Sequence, residues 1–125
     1  MLDIKTEQAD GYVICRPVGE LDAFTVSQFR DALAGLASQP RLIIDMSAVP
    51  FVDSAGLGAL IGGIRRAREL GGDVAVVCNR APLTRLLKTT GFDRIVTVTD
   101  TVKEAVASLE ASSPTTTGPA SGGKD

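Results

Sequence analysis

Histidine and tryptophan are absent from this 125-residue chain, and its aromatic residues amount to one Tyr and four Phe. Without histidine there is no Ser-His-Asp or Cys-His nucleophilic machinery. The two cysteines, Cys15 and Cys78, stand far apart, outside any CxxC or metal-ligand spacing, so a zinc site is not expected. They read as small apolar residues within strands. So few aromatics provide no platform for stacked bases, and a net charge of −2 provides no basic patch, so no nucleic-acid partner is expected. No apolar run approaches the ~18 residues of a membrane span. The opening MLDIKTEQAD is acidic and polar, unlike a signal peptide, which leaves the cytoplasm as the default compartment. No GxxxxGK[ST] occurs, and Gly56, Gly58 and Gly62 miss the GxGxxG spacing by one residue, so no nucleotide or other cofactor is expected.

What is present suits one packed domain. Hydrophobic residues make up 44% of the chain, and the length is that of a single unit. Leu2, Ile4 and their polar neighbours alternate with the period of a half-buried strand. Asp10 and Gly11 form a turn signal, and Tyr12, Val13, Ile14 and Cys15 read as the returning strand of a hairpin. A loop is expected over 17–22. Val26, Phe29, Leu33 and Leu36 then make one apolar helical stripe from about Phe24 onward, ended by Gln39 and Pro40. Leu42, Ile43 and Ile44 read as a strand buried on both faces. A second helix is expected from about Ala55, with Leu57, Leu60, Ile61 and Ile64 inward, Arg65, Arg66 and Glu69 in water, and Gly71 and Gly72 as the stop. A strand at 74–78 and a short helix with Pro82 in its first turn come next. A strand at 95–98 follows, and Thr101 with Glu104 forms a capping box before a last amphipathic helix.

The order ββαβαβαβα predicts an α/β fold, a single mixed and mostly parallel sheet flanked by helices, with the N-terminal strand antiparallel at an edge. If the strands lie in sequential order, the one at 42–45 separates Cys15 from Cys78. Strands sit ~4.8 Å apart, so the thiols would be ~10 Å or more apart, beyond the ~7 Å reach of a disulfide. Free thiols are expected. The domain is assigned to 1–110, and the Ser/Thr/Gly/Pro-rich remainder, 111–125, reads as a disordered tail because it has nothing apolar to bury.

The informative stretch is Asp53, Ser54, Ala55, Gly56, Leu57, Gly58, between a buried strand and a helix. Ser54 falls at or near the N-cap, where a hydroxyl accepts a backbone N–H, so simple capping accounts for it. Two glycines in a first helical turn cost ~1 kcal/mol each against alanine, which makes sense where something approaches the backbone closely. A glycine-rich helix start also presents free N–H groups and a positive dipole end to a phosphate. Asp22 either contacts a partner or caps the following helix. Asp45 either supports the exit from its strand or takes a binding role, Arg65, Arg66 and Arg68 make a solvated helix face or a charged contact surface, and Phe24 and Phe51 are either exposed loop anchors or core residues.

Gly19, Glu20, Leu21, Asp22 before the first helix, the run LIIDMSAVPFVDSAGLG at 42–58, and Thr90, Gly91, Phe92, Asp93 before the last strand together resemble the STAS family. Within it the likeness is to the bacterial anti-sigma factor antagonists, over about residues 2–110. The resemblance implies a mixed sheet flanked by helices. It also implies that the serine of the Asp-Ser-x-Gly-Leu-Gly motif, here Ser54, is phosphorylated by a partner anti-sigma factor that is a serine kinase. The unphosphorylated antagonist binds that factor and frees a sigma factor, and a PP2C-type phosphatase resets the switch. The implied contact residues are Asp22, Asp53, Ser54, Gly56, Leu57 and Gly58. Ala55 stands where many members carry Ser or Thr, leaving one hydroxyl at the site. Phosphorylation would add about −1.5 to −2 charges beside Asp53. A like-charge pair ~5 Å apart at an effective dielectric of ~20 costs about 3 kcal/mol, roughly a hundredfold in affinity against an acidic or apolar partner surface.

Two other functions remain. A STAS protein can serve as a scaffold or ligand-sensing module in another signalling complex. A receiver domain phosphorylated on Asp would need an acidic cluster after the first core strand to hold Mg²⁺, and Ile14, Cys15, Arg16 and Pro17 provide none. No set of side chains argues for an enzyme.

Overall fold

In the computed structural model, residues 2–94 and 96–111 are described. Five strands form one sheet in the sequential order β1-β2-β3-β4-β5. β1 (Asp3–Ala9) and β2 (Tyr12–Val18) form the expected hairpin, closed by Asp10 and Gly11, and β1 is the antiparallel edge. β3 (Arg41–Asp45), β4 (Asp73–Val77) and β5 (Thr97–Thr99) continue in parallel from β2. The helices are α1 (Val26–Leu36), α2 (Ser54–Glu69), α3 (Ala81–Thr89) and α4 (Val102–Ala111), with a 3-10 turn at Phe92–Arg94.

Alternation along the strands builds the core in two layers. Val13, Cys15, Leu42, Ile44, Val74 and Val76 point to the face covered by α1, α2 and α3, where they meet Leu21, Phe29, Leu33, Leu60, Ile64 and Leu87. Ile14, Ile43, Ala75 and Val77 point to the other face and meet Ala105 and Leu109 of α4. The three central strands are thus buried on both sides, and their sequences are correspondingly continuous in Val, Ile and Leu. Cys15 in β2 and Cys78, which falls just past the end of β4 rather than within it, are buried free thiols with β3 between them.

Several expected boundaries shift. The loop expected from Pro17 begins later, because β2 runs to Val18. Its ladder with β3 ends at Cys15 and Ile44, so Pro17 sits where the strand has only β1 as a neighbour and its missing N–H is tolerated. The first helix starts at Val26, not Phe24, because the preceding residues form a separate turn described below. The last strand begins at Thr97; Phe92–Arg94 takes up the approach as a 3-10 turn, and Ile95 lies outside the described residues. Ala111, placed in the tail by its composition, is the last residue of α4. The rest of the expected tail, 112–125, lies outside the described residues. α2 stops as anticipated, with Gly71 at φ +87° just beyond its last turn. The Thr101–Glu104 capping box forms both ways: Glu104 N–H donates to Thr101 Oγ1 at 3.1 Å and Thr101 N–H to Glu104 Oε1 at 3.2 Å.

Candidate functional site

Two loops leave the carboxyl ends of β2 and β3 and are zipped together, where open α/β sheets place their binding sites. Gly19 N–H donates to the Ala48 carbonyl at 3.1 Å, Leu21 N–H to Phe51 at 2.9 Å, and Asp53 N–H to Leu21 at 3.1 Å. Leu21 and Val52 form an isolated parallel bridge. Leu21 is fully buried, so the pair extends the sheet beyond its strands and anchors the loop ends in the core.

Asp53, not Ser54, is the N-cap of α2. Its backbone is extended (φ −94°, ψ −175°), and Oδ1 accepts the Gly56 N–H at 2.9 Å. The carboxylate is one atom longer than the serine hydroxyl, and it sits one residue before the helical dihedrals begin. Ser54 is therefore the first helical residue, one position ahead of the expected start at Ala55. Its side chain is exposed and forms no hydrogen bond with the described residues. Capping, the plain structural account of Ser54, is thereby taken over by its neighbour.

The second carboxylate oxygen of Asp53 reaches the other loop and accepts the Ala23 N–H at 3.2 Å. Asp22 organises the same loop. Its Oδ1 accepts from Phe24 N–H at 2.9 Å and Thr25 N–H at 3.1 Å, while its own N–H donates to Thr25 Oγ1 at 3.0 Å. Thr25 Oγ1 in turn donates to the Glu20 carbonyl at 3.0 Å. Asp22 thus builds the turn ahead of α1, an Asx-type role, while Thr25 occupies the N-cap position without a side-chain cap bond. The structure brings Asp22, Asp53 and Ser54 to one place, with two carboxylates committed to one turn and a free hydroxyl beside them.

The two glycines have different explanations. A Cβ on Gly56 would lie 2.6 Å from the Leu21 carbonyl oxygen and 2.8 Å from Leu21 Cγ, so here the close approach is by the chain's own bridging loop, not by a ligand. A Cβ on Gly58 would meet nothing within 4 Å. Gly58 is exposed, and no internal contact accounts for it. Leu57 is half-buried and packs on the main core. The Arg65, Arg66 and Arg68 side chains lie in solvent along α2, away from its first turn.

Asp45 lies at the end of β3, buried, and accepts from Arg16 Nε at 2.9 Å and from the Ser47 N–H at 3.0 Å, with the Ser47 hydroxyl also bonded to it. Burial alone pushes this carboxyl up. The bonds from Ser47 and Arg16 and the Arg16 charge outweigh it and hold Asp45 below the usual carboxylate range. It therefore supports the strand exit, as anticipated. Burial pushes the Cys15 thiol up to about 11.

The sequence pattern alone leaves Phe24 and Phe51 open between core and surface. Phe24 is 94% exposed and Phe51 is 51% exposed. The signal that separates Phe24 from a core residue is its place between Asp22 and Thr25, a turn-forming pair rather than part of the helical stripe.

The STAS domain family model matches residues 3–105. The chain belongs to the STAS family. It is 30% identical over 112 residues to the anti-sigma F factor antagonist of Paenibacillus polymyxa, spanning 87% of this chain and 96% of that one. It is 26% identical over 98 residues to the anti-sigma-B factor antagonist of Bacillus subtilis, spanning 78% and 90%. The crystal structure of an anti-sigma factor antagonist from Mycobacterium paratuberculosis superposes with a TM-score of 0.82 at 27% identity, over 88% of this STAS chain and 95% of that chain. The single five-stranded mixed sheet with four helices matches the fold of that antagonist. Among the described residues, no helix is long and apolar enough to cross a membrane.

Proposed function

We propose that this STAS protein is an anti-sigma factor antagonist with a phosphorylation switch at Ser54. Unphosphorylated, it binds an anti-sigma factor that has serine kinase activity, and a sigma factor is released. Phosphorylation of Ser54 by that factor ends the binding, and a PP2C-type phosphatase restores it. The protein acts in the cytoplasm as a binding module without catalysis or cofactor of its own. Asp22, Asp53, Ser54, Gly56, Leu57 and Gly58 make up the contact region.

The observation that carries this reading is the exposed, unbonded Ser54 hydroxyl at the first residue of a 16-residue helix. A kinase needs such a hydroxyl free. The positive end of the helix dipole favours a phosphate there, so the modified protein stays folded. The Asp22 and Asp53 carboxylates nearby make the phosphorylated surface strongly anionic, which opposes a partner fitted to the neutral form.

The test uses immobilised wild-type, Ser54→Ala and Ser54→Glu proteins exposed to cytoplasmic extract with ADP or ATP, with captured proteins identified by mass. Wild type and Ser54→Ala should retain an anti-sigma factor kinase, Ser54→Glu should lose it, and ATP should add one phosphate to wild type alone. Identical capture by all three, with no phosphate on Ser54, would overturn the switch and favour a scaffold or ligand-sensing role.

A further inference from the structure

Three large hydrophobic side chains are exposed among the described residues: Phe24, Phe51 and Leu70. A lone exposed apolar residue is ordinary. Two of these three, however, fall on the two loops that are zipped together beside Ser54. Phe51 offers its carbonyl to Leu21 N–H, and Phe24 follows Ala23, whose N–H is held by Asp53. Phe51 continues into an apolar groove of about 260 Å³ that Val52, Pro82 and Leu86 also line. The two zipped loops that lead to Ser54 thus carry an aromatic knob on one and an apolar groove on the other.

The turn that carries the knob is fixed along its backbone. Every backbone N–H from Asp22 to Val26 is taken: Asp22 by Thr25 Oγ1, Ala23 by Asp53 Oδ2, Phe24 and Thr25 by Asp22 Oδ1, and Val26 by the Asp22 carbonyl at 2.8 Å. A turn this fully bonded fixes the backbone so that the Phe24 side chain leaves it toward water, 94% exposed. Such preorganisation lowers the ordering cost of binding. Exposed aromatics that become buried at the centre of an interface are the usual energetic anchors.

We propose that Phe24 and Phe51 are the apolar anchors by which this protein is held by its anti-sigma factor, the partner offering an apolar pocket to the Phe24 ring and an apolar ridge to the groove at Phe51. The inference rests on the function proposed above and adds to it a division of labour. The aromatic pair supplies affinity, and Ser54 supplies the switch. Asp53 couples them, because one carboxylate holds both the Phe24 turn and the helix that begins at Ser54.

The experiment measures binding of the purified anti-sigma factor, identified by its ATP-dependent phosphorylation of Ser54, to wild type, Phe24→Ala, Phe51→Ala and Leu70→Ala. Circular dichroism and thermal melts accompany each variant. Phe24→Ala should fold as wild type, since its ring touches little, and should weaken binding by about 30-fold, the loss typical of an anchor residue. It should raise the KM for phosphorylation of Ser54 and leave kcat unchanged. Leu70→Ala removes exposed apolar surface just past the far end of α2 and should change nothing. Phe51→Ala should also weaken binding, and a melt matching wild type separates that from lost packing. Binding of Phe24→Ala within twofold of wild type would overturn the anchor assignment and leave the switch intact. Absence of any anti-sigma factor that binds wild type and phosphorylates Ser54 would overturn both.

Discussion

Gly56 at the start of α2 lies against Leu21 so closely that a Cβ there would sit 2.6 Å from the Leu21 carbonyl oxygen. That carbonyl already accepts the Asp53 N–H, so it cannot move away without unzipping the two site loops. Gly56→Ala should therefore destabilise the fold by about 1–3 kcal/mol through overpacking, despite the gain in helix propensity. Gly58→Ala has open space and should be neutral or stabilising by up to about 1 kcal/mol. Urea denaturation of the two variants checks the contrast, and equal behaviour would show that the loops yield.

Asp53 joins the two loops through both of its oxygens. Asp53→Ala removes the N-cap of α2 and should cost about 0.5–2 kcal/mol. The second lost bond predicts a local effect as well. Hydrogen exchange should accelerate at the Ala23 amide as well as at Gly56, whereas loss of a simple cap would accelerate Gly56 alone.

Asp45 is held below the usual carboxylate range in the folded protein. A depressed folded pKa contributes stability that is fully present above the unfolded value of about 3.9 and is lost as pH falls through the folded one. Stability should thus be insensitive to this group at neutral pH and decline below about pH 4. Arg16→Gln removes the charged partner bonded at 2.9 Å and should cost about 1–3 kcal/mol at pH 7. It should also flatten the acid decline, because with less help against burial the folded pKa lies nearer the unfolded one and less stability is left to lose as pH falls. Chemical denaturation between about pH 3 and 7 reads both effects.

Cys15 is buried, and its thiol is pushed up to about 11. Cys78 is also buried, with Sγ lying 3.4 Å from Thr84 Oγ1. Burial shields both sulfurs, and the raised Cys15 thiol also forms little of the reactive thiolate, so neither should react with a disulfide reagent at about pH 8 in the folded protein. Both should react at once in denaturant. Stoichiometric labelling of either residue under native conditions would contradict their burial.

Much of this was legible in the chain. Alternation in β1, continuous apolar runs in the central strands and period-3.6 stripes in the helices located the five strands and four helices of the described residues, because burial on one or both faces leaves its own pattern. The capping box at Thr101 and Glu104 and the glycine stop after α2 were legible for the same local reason: the partners are three or four residues apart. The boundaries that moved did so through non-local pairing. Pro17 stays in β2 because β1 is opposite it, and α1 starts at Val26 because Asp22 spends its carboxylate on a turn that Asp53 helps to hold.

The candidate site followed the same division. Its sequence alone placed Asp22, Asp53 and Ser54 in two loops at the carboxyl ends of strands, since the strand and helix order determines where such loops emerge. Only the tertiary structure decided what each residue does there. It gave the cap to Asp53 and left the Ser54 hydroxyl free, it tied Gly56 to Leu21 rather than to a ligand, and it turned Phe24 out into water. The Gly56 approach to Leu21 and the Asp53 bond to Ala23 join segments distant in sequence, and the exposure of Phe24 is the absence of such a contact; the Asp53–Gly56 cap is local, and the backbone dihedrals where α2 begins decide that Asp53 rather than Ser54 makes it. Periodicity along a chain records which side of an element is buried, but it carries no information about which distant atom fills the space beside it.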